Sequence, residues 1–126
     1  MHRYVFHMLY LENGTRVSIG LVSQPATTSL LLMGYVVPAD KSIHCIENCD
    51  LVLYQHGENG TPGKNYAFCF ETDNETYDAK INVIYEAFHF KGNNTEAKLI
   101  ERFIECEVNG VKGKGVSEWH YNTTRT

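Results

Sequence analysis

The sequence predicts one mainly β domain, an antiparallel meander that curls or closes into a barrel and carries at most one short helix. Three observations lead there. Short runs of alternating or continuous apolar residues recur along the chain at strand length. Turn residues separate them, and the Asn-Gly pairs at 13–14 and 109–110 are the strongest short-range hairpin signals. The 126 residues are 43% apolar and 12% aromatic, enough for one packed core and unlike a disordered segment.

Taken in order, residues 4–11 are rich in aromatic and aliphatic side chains and read as a first strand. Glu12-Asn13-Gly14-Thr15 turns the chain, and residues 16–22 alternate, with Val17 and Ile19 on one face. Residues 30–37 are continuously apolar, as a well-buried strand would be. Pro38-Ala39-Asp40 turns again, and residues 43–46 and 51–54 read as short strands. Residues 57–64 hold three glycines and a proline and form a loop. Tyr66, Phe68 and Phe70 then alternate, and Asp73-Asn74-Glu75 ends that strand. Ile81, Val83 and Tyr85 are expected to share one face of the next strand, with Ile84, Phe88 and Phe90 on the other.

Residues 96–106 divide two patterns. Leu99, Ile100, Phe103 and Ile104 fall on a helical stripe, whereas Ile100, Ile104, Cys106 and Val108 fall on one strand face interrupted by Arg102. The Asn109-Gly110 turn that follows needs an extended partner on each side, which favours strand. Eight to ten short strands without a crossover helix make a sheet whose edges must be covered, blunted or paired. A second β domain or a homo-oligomer is therefore an expected partner. A barrel of about eight strands has room for packed side chains or one small apolar ligand.

Charge narrows the function. The formal net charge is −4, so the basic footprint of a nucleic-acid binder is missing. No apolar run is long enough for a membrane-spanning helix. Compartment signals conflict. The start, Met1-His2-Arg3-Tyr4, lacks the apolar segment of a signal peptide and favours the cytoplasm. The five Asn-x-Thr sequons at Asn13, Asn59, Asn74, Asn93 and Asn122 are glycosylation candidates that fit secretion, although asparagine and threonine also gather in turns.

Four cysteines permit disulfides. On one strand Cys45 and Cys49 would lie roughly 13 Å apart at about 3.3 Å per residue, too far for a bridge that needs Cα atoms within about 7 Å. Buried free thiols are the expected state. No histidine or cysteine spacing fits a metal site, and no phosphate-binding glycine loop or nucleophile elbow is present, so neither metal nor cofactor is expected.

Two clusters are the candidates for chemistry. In Tyr54-Gln55-His56-Gly57-Glu58, His56 and Glu58 are two apart and share a strand face, the arrangement of an acid–base pair; a histidine hydrogen bonded at a loop mouth beside a solvated glutamate is the plainer reading and the one favoured. In Gly113-Lys114-Gly115-Val116-Ser117-Glu118-Trp119, alternating glycines let a backbone or large side chain approach, and Trp119 closes one end of a barrel or stacks on a ligand. Glu118 points away from Trp119 and becomes a buried acid only if its own face is the interior. Tyr66, Phe68, Phe70 and Trp119 are the candidate ligand-lining residues.

Gly34-Tyr35-Val36, Tyr54-Gln55-His56-Gly57-Glu58 and Asn109-Gly110-Val111 running into Gly113-x-Gly115-x-x-Glu118-Trp119-x-Tyr121 resemble a module of arthropod phosphoenolpyruvate synthase-like proteins. That module is similar to the calycin, lipocalin-like double barrels related to carotenoid 1,2-hydratase. The resemblance spans about residues 4–121 and implies that residues 1–126 are one lipocalin-like domain, half of a larger double barrel. Lys114 stands where the module has a bulky aromatic, and Asn122 where it has arginine. Phosphoenolpyruvate synthases carry ATP-grasp and phosphohistidine domains, for which 126 residues leave no room, so the label implies no activity here. The sequence leaves three readings: a non-catalytic module that binds a small apolar ligand or serves a larger protein, a hydratase-like enzyme using His56, Glu58 or Glu118, and a structural half-barrel that pairs with another β domain.

Overall fold

The computed structural model describes residues 3–23, 30–51, 63–91 and 97–122. They form one nine-stranded, wholly antiparallel sheet in the order β4-β3-β2-β1-β9-β8-β7-β6-β5, with no helix among them. The long strands are β1 (Arg3–Leu11), β2 (Arg16–Ser23), β3 (Leu30–Val37), β6 (Asn65–Glu71), β7 (Thr76–Lys91), β8 (Ala97–Val108) and β9 (Val111–Asn122). β4 (His44–Cys45) and β5 (Asn48–Cys49) are two residues each. The lipocalin-like, mainly β reading holds, and the described part of the disputed stretch, residues 97–106, is strand: all of β8 pairs with both β7 and β9.

The sheet curls because its two ends are tied by one stretch of chain. His44 and Cys45 pair with Val36 and Tyr35 on β3, while Asn48 and Cys49 pair with Glu71 and Phe70 on β6. Between them Ile46 N–H donates to Gly34 C=O (3.0 Å) and Glu47 N–H to Glu71 C=O (2.7 Å). Of the strand expected at 51–54, residues 52–54 lie outside the described residues. The edge backbone at this end is satisfied by that crossing.

The Asn-Gly pairs at 13–14 and 109–110 make hairpins, by different means. Asn109 and Gly110 have φ of +48° and +82°, the two positive values a two-residue type I′ turn requires between the paired Val108 and Val111. At the first hairpin only Gly14 is at positive φ (+90°). There Gly14 N–H donates to Leu11 C=O, Leu11 N–H donates to Thr15 C=O, and Asn13 Oδ1 accepts from Thr15 N–H. This is the longer hairpin in which a glycine ends the turn.

Alternation places Val5, His7, Leu9 and Leu11 of β1, Val17, Ile19 and Leu21 of β2, Phe68 and Phe70 of β6, and Ile100, Ile104 and Val108 of β8 on the inner face. One irregularity redirects β7. Val83 pairs with Ile104 but Tyr85 pairs with Phe103, so Ile84 is an extra residue. Such a bulge reverses the facing of everything after it. Tyr85 consequently points outward with Ile84, contrary to its expected face, and Glu86 turns inward opposite Arg102. β7 pairs with β6 only over residues 76–82, so beyond Val83 its one strand partner among the described residues is β8.

Candidate functional site

The inner face carries polar groups that the packing of a barrel does not need. Arg102, His7 and Ser117 are each 1% exposed. They come from three adjacent strands, in register across β8, β9 and β1 as Arg102–Ser117–His7. Arg102 Nη2 lies 2.8 Å and Nε 2.9 Å from Glu86 Oε2, and Nη1 donates to Gly63 C=O at 2.7 Å. A buried guanidinium needs this full set of acceptors. Burial pushes the Glu86 carboxyl up, but hydrogen bonding and charge from Arg102, with Lys64 Nζ 3.4 Å away, leave it lower than usual. The bulge at Ile84 makes this pair possible, since without it Glu86 would face outward.

His7 Nε2 and the Tyr66 hydroxyl are hydrogen bonded at 2.6 Å. Burial raises the Tyr66 pKa well above the ordinary tyrosine value, against the downward pull of Arg102, Ser117 and Trp119. Trp119 Nε1–H donates to Ser117 Oγ at 3.2 Å, and Arg102 Cζ lies 5.8 Å from the Trp119 ring. The result is one connected interior group, Glu86–Arg102–Trp119–Ser117 and His7–Tyr66. Ring contacts bind it together, with Tyr66 and His7 5.7 Å and 5.8 Å from Trp119.

The four expected lining residues do converge on the inner face. Tyr66, Phe68 and Phe70 follow one another at 6.3 Å and 6.0 Å, and Phe70 stacks on Tyr77 at 5.0 Å. Phe68, Phe70 and Trp119 are at most 3% exposed. Accessibility returns toward the second half of β7. Tyr66 and Glu86 are half-buried, and Phe88 is 48% exposed although its register partner Ile100 is fully buried.

The glycines of β9 act as their spacing predicts: a Cβ on Gly115 would run into the Met8 carbonyl oxygen, and one on Gly113 into that of Tyr10. Glu118 lies on the outward face opposite Trp119, 3.5 Å from the Tyr4 hydroxyl. His56, Glu58 and Asn59 lie outside the described residues, as do Asn93 and the Asn122 side chain. Asn13 and Asn74 are exposed at turns. All four thiols are free, but only Cys106 is buried, and Cys45 is exposed. Burial raises the Cys106 pKa to about 11. Among the described residues no group of three or more histidine, cysteine, aspartate or glutamate side chains is arranged to hold a metal ion.

One surface group has the residue types of a nucleophilic triad without its chemistry. Ser42 Oγ is 2.9 Å from His44 Nε2, and His44 Nδ1 is 3.7 Å from Asp73. Ser42 Oγ, however, donates its single proton to Asp40 at 2.7 Å, leaving His44 Nε2 to donate toward it rather than accept. The Asp40 carboxyl is lowered by the same Ser42 contact.

Of these residues, His7 and Glu86 carry no signal in the sequence, and Ser117 falls within the glycine-rich cluster without a role of its own. Arg102 interrupting an apolar strand face is the one available signal of a charge on the inside.

No family model and no curated protein sequence matches the chain. Among solved structures it is similar to the crystal structure of kievitone hydratase from Nectria haematococca, with a TM-score of 0.66 and 14% sequence identity. The likeness covers 98% of this chain but 40% of that one, so the chain spans less than half the length of that protein, and what the two share is the fold.

Proposed function

We propose that this chain is a lipocalin-like module that holds a small, mainly apolar molecule carrying one hydroxyl or phenol group, with that group at His7, Tyr66 and Arg102. The observation that carries the reading is the 2.6 Å His7–Tyr66 bond beside a fully buried Arg102. Buried ionisable groups are costly to keep in a core, and they concentrate at functional sites. Phe68 and Trp119 form the apolar wall. The ligand enters beside Glu86 and Phe88, where the inner face is accessible. The module serves as one half of a longer double barrel, in keeping with its 40% coverage of the hydratase and the resemblance to phosphoenolpyruvate synthase-like proteins.

Trp119 is the sole tryptophan, so its emission reports on this site directly. Titration with a phenol-bearing ligand and with the hydrocarbon of the same skeleton should quench it with at least tenfold preference for the phenol, about 1.4 kcal/mol. Tyr66→Phe should erase the preference. Equal response to both ligands in the wild type rejects the reading.

A second reading, a hydratase-like enzyme on an apolar substrate, is favoured by the same His7–Tyr66 pair, which can deliver a proton to one carbon of a double bond while water adds its oxygen to the other and returns its surplus proton to the pair. In it the acid–base role falls to these residues rather than to Glu118. Uptake of solvent oxygen into product, lost in Tyr66→Phe, tests it.

A further inference from the structure

Independently of the interior site, the outward face carries a ridge and a groove side by side. Tyr85 and Phe103 sit 6.0 Å apart on neighbouring strands, 60% and 55% exposed. Ile84, in the bulge, and Val116, the register partner of Phe103, extend the ridge at 53% and 36% exposed. The solvated face of an antiparallel sheet is ordinarily polar, so a contiguous apolar ridge marks an interaction surface. One outward row further along the strands, Asn82–Glu105–Lys114–Tyr10 forms the near wall of a groove of about 740 Å³ that crosses β6, β7, β8, β9 and β1.

The groove is charged yet balanced. Lys80, Lys112 and Lys114 offset Glu12, Glu105 and Glu107, and Lys80 lies 4.0 Å from Glu107. It therefore exerts no net pull on a phosphate or a basic peptide, and an uncharged insert with an aromatic face suits it, with lysines at the rim. The ridge beside it is such an insert. A patch holding both a projection and the recess that fits it is self-complementary, which a two-fold interface requires.

We propose that ridge and groove form a two-fold interface with a second copy of this chain, the Tyr85–Phe103 ridge of each copy seated in the groove of the other. Size agrees. The exposed parts of Tyr10, Ile84, Tyr85, Phe103 and Val116 amount to on the order of 450 Å², and the groove walls bring the patch toward the roughly 800 Å² per partner of a standard interface.

Sedimentation velocity between about 1 and 100 µM, spanning a micromolar dissociation constant, should show a monomer–dimer equilibrium. Phe103→Asp and Tyr85→Asp should each leave a monomer throughout, with the far-ultraviolet circular dichroism of the wild type. Asn82→Arg, on the exposed groove wall, should weaken the dimer at least tenfold without touching the ridge, and it decides the matter if the ridge variants misfold. A wild type that is monomeric across the range overturns the proposal. So does a dimer that survives Asn82→Arg and the folded ridge variants, and so does open-ended growth in place of a dimer.

Discussion

Arg102 and Phe103 are neighbours on β8 and reverse the usual placement, with the arginine 1% and the phenylalanine 55% exposed. Two residues further on, Ile104 and Glu105 follow the rule, buried and exposed. Strand geometry fixes which face each residue takes, and hydrophobicity does not overrule it at single positions, because a one-residue slip would turn Ile100, Ile104, Cys106 and Val108 outward together. The four buried neighbours hold β8 in register, and Arg102 is tolerated inside because Glu86 and Gly63 satisfy it. Two adjacent exceptions on opposite faces thus point to two separate uses of one strand.

Changes that attack the register should cost most. Gly115→Val forces a side chain into the β1 backbone at Met8 and should prevent folding, seen as loss of soluble protein and of the β-type circular dichroism signal. Retention of a wild-type melt would mean that β1 and β9 are not so closely apposed.

Next is the inner charge. Arg102→Met leaves Glu86 with only the exposed Lys64 beside it and should lose about 3 kcal/mol in urea unfolding, whereas Arg102→Met with Glu86→Leu should recover more than half of it. If the double variant is as unstable as the single, the pair is not what holds this part of the core.

The same pair sets a smaller, pH-dependent effect. The folded-state pKa of Glu86 is lowered, so its contribution is complete above the ordinary glutamate value of about 4.3 and is lost as pH falls through the folded value. The stability difference between wild type and Glu86→Gln should hold from neutral pH to about 5 and shrink below that, where the carboxylate takes up its proton. A difference that grows on acidification would reverse the sign. Smallest of all, Glu118→Gln on the outer face should change stability by less than about 0.5 kcal/mol. A larger loss would place Glu118 in the core.

Much of the fold is legible in the sequence. Alternation at Tyr66, Phe68 and Phe70 and the Asn109-Gly110 turn each report a local rule that the structure obeys. The continuous apolar run at 30–37 is a strand but not the well-buried one its composition predicts, because Leu31, Met33 and Tyr35 lie on its other face at 56%, 47% and 53% exposed. The bulge is not legible, since Val83, Ile84 and Tyr85 are all apolar and no pattern says which is extra. The interior site was half legible for the same reason. Trp119 and the aromatic strand declare themselves, but Glu86 reaches Arg102 only through the bulge, and His7 meets Tyr66 only because the sheet curls to bring β1 across from β6. Spacing along the chain carries no trace of a contact between residues 59 positions apart.

The central claim is that the interior group around Trp119 receives a ligand. A sole tryptophan gives one indole N–H resonance, and Trp119 Nε1–H is hydrogen bonded to Ser117 inside that group. Titrating ¹⁵N-labelled protein with a phenol-bearing apolar ligand should move this resonance saturably, and should leave it still in Tyr66→Phe at the same ligand concentrations. An indole resonance unmoved in the wild type, while amides of the outward face shift, would contradict the account.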